Sequence, residues 1–246
     1  KDPDTIYMTI SSRRWTVDKF MWSIMERDTT GQIMSYNIRT SKRVVIADNL
    51  FMPNGIDIDV ERDRILFTET LPGRVSSISL EHVRPMVELA MDRDVLKNVQ
   101  KIALIPALPG FADNIVIKGN LAYIALPFVR LHNKEFTDFL GSMPTLRTAI
   151  ARFTYLIGII LQQVAKITEN QLIEQASFEF KTGAIHYRVF QTDRSGVIVY
   201  NIKTGASEFF GSDKFGYVSE AMPDGKGNIF LGSFRSPFLI KRKMPV

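Results

Sequence analysis

An all-β fold, a six-bladed β-propeller with about four blades present and a helical insertion, is what these 246 residues predict. Three observations predict it: a strand motif recurring along the chain, a composition suited to many short strands, and one amphipathic stretch that interrupts the recurrence.

The motif is clearest in Gly31-Gln-Ile-Met-Ser-Tyr-Asn-Ile-Arg-Thr40 and Gly196-Val-Ile-Val-Tyr-Asn-Ile-Lys-Thr204, a strand running into an Asn/Lys/Thr turn. Each is followed by a second apolar strand, a short polar-tipped segment and a third strand, which makes a repeating antiparallel meander. The third strands begin near Asp4-Thr-Ile-Tyr, Arg64-Ile-Leu-Phe, Gly119-Asn-Leu-Ala and Gly227-Asn-Ile-Phe. With Ile6, Ile65, Leu121 and Ile229 taken as equivalent, the intervals are 59, 56 and 108 residues, the last being one blade plus an insertion. Radial stacking of four-stranded sheets accounts for such a period, and closing a six-fold ring calls for about two more blades upstream. The propeller is expected to occupy 1–246.

Seventeen Phe, seven Tyr, fifteen Gly and eleven Pro, spread along the chain, suit strands punctuated by turns. The formal charge of +5 is scattered in small groups such as Arg13-Arg14, Lys42-Arg43 and Lys241-Arg242-Lys243. A nucleic-acid site needs a dense basic stripe that neutralises several phosphates together, so nucleic acid is excluded as a partner. With no Cys there is no disulfide and no thiolate metal site. The chain opens Lys-Asp-Pro-Asp, not Met, and any secretion signal or anchor is expected upstream.

Between the third and fourth repeats, Leu146, Ile150, Phe153, Ile157, Ile160 and Val164 recur every three or four residues, which predicts an amphipathic helix over 145–166 inside an insertion spanning 136–170. Two roles fit it, a lid or flank on the propeller and attachment to a membrane surface. Its strongly apolar part, Phe153 to Leu161, is too short to span a bilayer. Trp15, Phe20, Met21, Trp22 and Met25, in an earlier insertion, are read either as lining a ligand entrance or as packing on a blade.

A polar residue sits in an apolar turn just before three of the repeated strands: Asn54 in Phe-Met-Pro-Asn-Gly-Ile, Asp113 with Asn114 in Gly-Phe-Ala-Asp-Asn-Ile, and Glu220 in Tyr-Val-Ser-Glu-Ala-Met. Ring closure is expected to gather them at one mouth of the central channel. Taken singly they also read as turn caps. Together they offer only oxygen donors, the set a hard cation such as Ca2+ prefers. No nucleophile elbow, zinc-protease helix, P-loop or dinucleotide fingerprint is present.

These motifs carry a resemblance. Asp28-Thr-Thr-Gly-Gln-Ile-Met-Ser-Tyr, Phe51-Met-Pro-Asn-Gly-Ile, Phe67-Thr-Glu-Thr, Leu108-Pro-Gly-Phe-Ala-Asp-Asn-Ile and Leu231-Gly-Ser-Phe-Arg-Ser-Pro-Phe resemble the strictosidine synthase-like family. Within it, the match is to the animal group of adipocyte plasma membrane-associated proteins and hemomucins. More distantly the chain resembles the paraoxonases and the gluconolactonase or regucalcin family. The resemblance implies that Asn54, Asp113 and Asn114 are calcium ligands, with a further Glu ligand upstream. It also puts Glu220 at or beside the catalytic Glu of strictosidine synthase, in a register left open by one extra residue before Gly232. Phe111-Ala112 departs from the aromatic-Pro more usual there.

The implied function is calcium-dependent hydrolysis of a small ester or lactone, with the metal polarising the substrate or activating water. The competing readings are a non-enzymatic propeller that binds partners or membranes, and a strictosidine synthase-type condensation with Glu220 as base. The implied location is the membrane or the secretory pathway, reached through an upstream anchor or through helix 145–166.

Overall fold

The computed structural model describes residues 3–129, 140–186, 194–212 and 215–244, and these fall into two compact units. The first comprises residues 1–11, 29–131 and 192–246; the second comprises 12–28 and 132–191.

The first unit is a succession of antiparallel sheets, the blades expected from the repeat. The first blade holds β1 (Thr5–Ile10), β2 (Gly31–Asn37) and β3 (Arg43–Leu50). The second holds β4 (Pro53–Asp59), β5 (Arg64–Glu69), β6 (Arg74–Ser79) and β7 (Ile102–Ile105). A two-stranded ribbon pairs β8 (Gly110–Phe111) with β11 (Phe128–Val129). The third blade is β9 (Ile115–Lys118), β10 (Leu121–Leu126), β12 (Ser195–Asn201) and β13 (Ser207–Ser212), and the fourth is β14 (Val218–Pro223), β15 (Asn228–Ser233) and β16 (Ile240–Lys243).

The Asn/Lys/Thr motif forms for a local reason. Asn37 Oδ1 accepts hydrogen bonds from the backbone N–H groups of Arg39 and Thr40, and Asn201 Oδ1 accepts from those of Lys203 and Thr204. One side-chain oxygen thus closes each hairpin. Asp59 and Asp224 do the same at the ends of β4 and β14, accepting from the backbone of Arg62 and of Lys226.

Packing follows the two-residue period of a strand. On β5, Ile65 and Phe67 face a cluster with Ile33, Ile46 and Leu50 of the first blade. Leu66, on the opposite face, joins Ile115, Ile124 and Leu126 of the third blade. On β10 the alternation repeats, with Tyr123 and Ala125 turned toward Val218, Ala221 and Leu231 of the fourth blade. Both faces of β5 and β10 are therefore buried, which explains their near-continuous apolar runs.

Two details differ from the sequence expectation. In the second, third and fourth blades the repeated strand is the second of its sheet, whereas in the first it is β1, because the meander as read runs across a blade boundary between β3 and β4. The equivalence of Leu121 is also one residue off: the turn asparagines Asn37 and Asn201 pair with Thr5 and Leu121, so Ala122 is the partner of Ile6, Ile65 and Ile229. A further helix, α2 (Leu80–Leu89), follows β6 and sets Leu80 and Val83 into the seam between the first two blades. Its three-residue apolar step had gone unread.

The second unit is helical: α1 (Phe20–Glu26), α3 (Pro144–Thr168) and α4 (Gln171–Thr182). The predicted helix is present and runs slightly beyond 145–166. At 25 residues it is long and apolar enough, by length and composition, to cross a membrane, so the judgement made from Phe153–Leu161 alone was too narrow. Asn170 caps α4 through Oδ1, which accepts from Leu172 N at 2.9 Å. Gly158 lets α3 and α4 approach, since a Cβ there would lie 2.8 Å from Lys181 N, and Ser177 Oγ donates to Gly158 O at 2.9 Å. Met21, Trp22 and Met25 are buried within this unit, Trp22 donating through Nε1 to Lys181 O at 2.9 Å, so these three belong to the core of the helical unit.

Among the described residues, Glu69 is the most deeply buried acid of the first unit. Oε1 receives Arg74 Nε at 2.6 Å and Oε2 receives Phe51 N at 3.0 Å, which ties the loop ahead of β4 to the end of β5. Replacing it with Ala strands both donors, and Glu69→Ala is expected to cost about 3 kcal/mol in chemical denaturation.

Candidate functional site

All four polar residues singled out in the sequence lie on or beside the first strand of a blade, and each blade is irregular at that point. In β4 the pairing with β5 slips between Pro53 and Ile56, so Asn54 and Gly55 form a bulge. Ahead of β9, Asp113 N donates to Ala125 O and Ala125 N donates to Asn114 O, both at 2.9 Å, so two residues again oppose one. In β14 the register slips between Val218 and Glu220, and Glu220 faces Gly232. A bulge bends its strand and re-aims side chains, a device common beside functional sites.

The ladders settle the register. Ile56, Ile115 and Ala221 stand opposite Phe67, Ile124 and Leu231, which are equivalent. Asn54 and Asp113 consequently share a position with Ser219, whereas Asn114 and Glu220 share the next one with Gly55. The expectation that Glu220 repeats the position of Asn54 is corrected by one residue. The site consists of two adjacent tiers and not one.

A chain of hydrogen bonds carries these bulges from blade to blade. Thr9 Oγ1 donates to Asn54 O at 2.6 Å; Gly55 N and Thr68 Oγ1 donate to Asp113 O at 3.3 and 2.6 Å; Asn114 N donates to Ser219 O at 3.3 Å. The approach at Gly55 admits no side chain, because a Cβ would lie 2.5 Å from Ile115 N and 2.6 Å from Asn114 Cα. Glycine here is a packing requirement.

Side chains then meet across the blades. The Asn54 amide lies near enough to the Asp113 carboxyl, and the Asn114 amide to that of Glu220, to favour the charged forms, while Asn54 Nδ2 reaches Thr70 Oγ1 at 3.4 Å. Burial pushes the Asp113 carboxyl up to about 7; the Asn54 amide opposes the rise and the nearby Glu220 charge adds to it. Burial also raises Glu220, against the Ala221 N–H and the Asn114 amide, with the Asp57 charge adding to the rise. Asp57 stays on β4, where Oδ2 accepts from Ile117 N at 2.7 Å.

Among the described residues no three His, Asp or Glu side chains gather as a metal would require, so carboxylates alone do not make a centre here. Asn54, Asp113, Asn114 and Glu220 together present two carboxylates and two amides, an oxygen set that fits a hard cation. Two mutually repelling carboxyls, each raised by burial, are what a positive charge would relieve.

An aromatic cluster was missed in the sequence. Phe128 meets Phe111 edge-on at 5.9 Å and Tyr217 at 5.4 Å, and Phe234 packs on Tyr217 at 5.5 Å. Arg235 lies over the Tyr217 ring at 4.7 Å. Phe111 and Tyr217 each stand two residues before the bulge, the position that Met52 holds in the second blade, so the repeat itself could have found them. Met52 and Tyr217 both take the left-handed conformation, with φ of 48° and 61°, a cost tolerated where surroundings over-determine the backbone.

The pH dependence of the metal-free protein follows from Asp113. Its folded carboxyl titrates at about 7 in place of the ordinary 3.8, so the native state holds a proton that the unfolded chain has released. Stability should therefore fall as pH rises across that window. Denaturant unfolding in chelator should show this fall, and Asp113→Asn should flatten it. A wild-type profile that rises through neutrality contradicts the assignment.

The strictosidine synthase family model matches residues 1–80. The adipocyte plasma membrane-associated protein of Danio rerio is 28% identical over 244 residues, covering 98% of this chain and 49% of its own length. The Homo sapiens protein of that name is 25% identical with the same coverages, 98% and 49%. The strictosidine synthase-like 13 protein of Arabidopsis thaliana is 26% identical over 113 residues, 46% of this chain and 25% of that protein. The chain spans about half the length of the animal relatives it matches.

Proposed function

With a chain similar along nearly its whole length to adipocyte plasma membrane-associated proteins and matched over residues 1–80 by the strictosidine synthase family, we propose that it carries the metal-bearing part of a calcium-dependent hydrolase of esters or lactones. The observation that supports this most is the backbone crossing from Gly55 and Thr68 to Asp113 O and from Asn114 N to Ser219 O, which brings Asn54, Asp113, Asn114 and Glu220 of three blades together. Asn54 Oδ1, the Asp113 carboxylate and Asn114 Oδ1 would hold Ca2+, and the ion, when bound, would polarise the substrate carbonyl.

The chain's own residues supply the rest. Glu220, a carboxylate whose proton affinity burial has raised, takes a proton from water as the water oxygen bonds to the acyl carbon. The ester C–O bond then breaks, and the leaving alkoxide takes that proton back. Tyr217 and the exposed Phe234, backed by the buried Phe111 and Phe128, present an aromatic surface beside the strand entries and favour substrates with an apolar acyl or aryl group. The name of the animal relatives supports a membrane-associated place of work, and a propeller that keeps its ion for structure alone is the competing reading.

Calcium content and hydrolysis of phenyl acetate and of a simple lactone, measured on the intact protein with and without chelator, test the proposal. Chelator is expected to abolish turnover, and Asp113→Ala to lower kcat/KM at least about a hundredfold, with folding retained. Calcium that raises the Tm of a protein without any turnover rejects the hydrolase and favours the scaffold.

A further inference from the structure

We propose that α3 of the helical unit lies along an anionic phospholipid surface, with its apolar stripe in the bilayer interface and a neighbouring cationic, aromatic pocket taking lipid phosphate. Leu146, Phe153, Leu156, Ile160 and Ile167 recur at steps of seven, three, four and seven and so form one face. All five are exposed, Phe153 at 64% and Ile167 at 83%, although they are the large apolar residues that folding would otherwise bury. The opposite face is small and occupied: Ala151, Gly158 and Ala165 are buried, and Ser177 of α4 donates to Gly158 O.

Charge selects the occupant. Between Pro144 and Thr168 there is no acidic residue, while the exposed Arg152 and Lys166 are cationic. At the edge of the stripe a pocket of about 380 Å3 is walled by Trp15, Trp22 and Tyr155 and edged by Arg14, Lys19 and Arg152, with Glu26 the single acid, paired to Arg14 at 2.9 Å. Amphipathic aromatics with cations beside an apolar stripe match the boundary between headgroups and acyl chains. Each cation near an anionic surface adds to its attraction.

The helix lies on the surface and does not cross it. Its length and composition would permit a crossing, but the buried Arg147 guanidinium is committed to Met25 O and, at 3.0 Å, to Leu140 O. Crossing would strip away these bonds and the contact with α4, and would leave backbone and charge without partners in hydrocarbon.

Flotation of the intact protein with vesicles tests this, using phosphatidylcholine alone and phosphatidylcholine with about 30% phosphatidylserine. The anionic vesicles are expected to bind about tenfold more tightly. Phe153→Ser/Ile160→Ser should lose about tenfold or more of that binding, and Lys19→Glu/Arg152→Glu should erase the preference for phosphatidylserine. Should the double serine variant misfold by circular dichroism, Ile167→Ser, the most exposed position, carries the same comparison. The proposal is overturned by binding indifferent to these changes, by equal binding to both vesicles, by no binding, or by a lipid-free dimer that Phe153→Ser/Ile160→Ser dissociates.

Discussion

The site depends on one contact, the hydrogen-bonded crossing of each blade's bulged first strand onto the next blade. At Gly55 the backbones come so close that no side chain fits between them, and Thr68 Oγ1, fully buried, holds the Asp113 carbonyl at 2.6 Å. Backbone bonds of this kind place residues far apart in sequence without asking their side chains to do the placing. Asn54 and Asp113, and Asn114 and Glu220, are then left to interact through their functional groups. The apolar seams between blades make the crossing rigid, because β5 and β10 are buried on both faces and cannot slide without exposing one of them.

Electrostatics at the crossing are set by burial more than by charge pairing. Asp113 and Glu220 are both raised chiefly by desolvation, the rise being partly offset by the Asn54 amide at Asp113 and by the Ala221 N–H and the Asn114 amide at Glu220. Elsewhere the fold compensates its buried acids with guanidinium groups: Asp59 has Arg62 and Arg64, and Glu69 has Arg74. Among the described residues, Asp113 and Glu220 have amides in place of arginines. That difference separates acids that hold the structure together from acids available for a cation or a proton.

Much of this was legible in the sequence, because the repeat is written in turn chemistry. The asparagines at 37 and 201 close their hairpins in the same way, and polar residues before the repeated strands marked Asn54, Asp113, Asn114 and Glu220. What was lost was fine register. Ile6, Leu121 and Ile229 look alike as apolar strand residues, and only the ladder from the turn asparagines shows that Ala122 is the equivalent residue. The bulges were equally invisible, since an extra residue in one strand leaves no compositional trace, and they move Glu220 into the tier of Asn114. The helical unit was half read: periodicity marked α3, whereas Trp22 and Met25, distant in sequence, gave no sign that α1 shares its core.

A crystal structure of the intact protein grown in millimolar calcium tests the convergence most directly. The account predicts one ion with oxygens of Asn54, Asp113 and Asn114 at about 2.3–2.6 Å and the Asn54 amide turned away from Asp113. Calcium bound elsewhere, or this cluster empty, would contradict it.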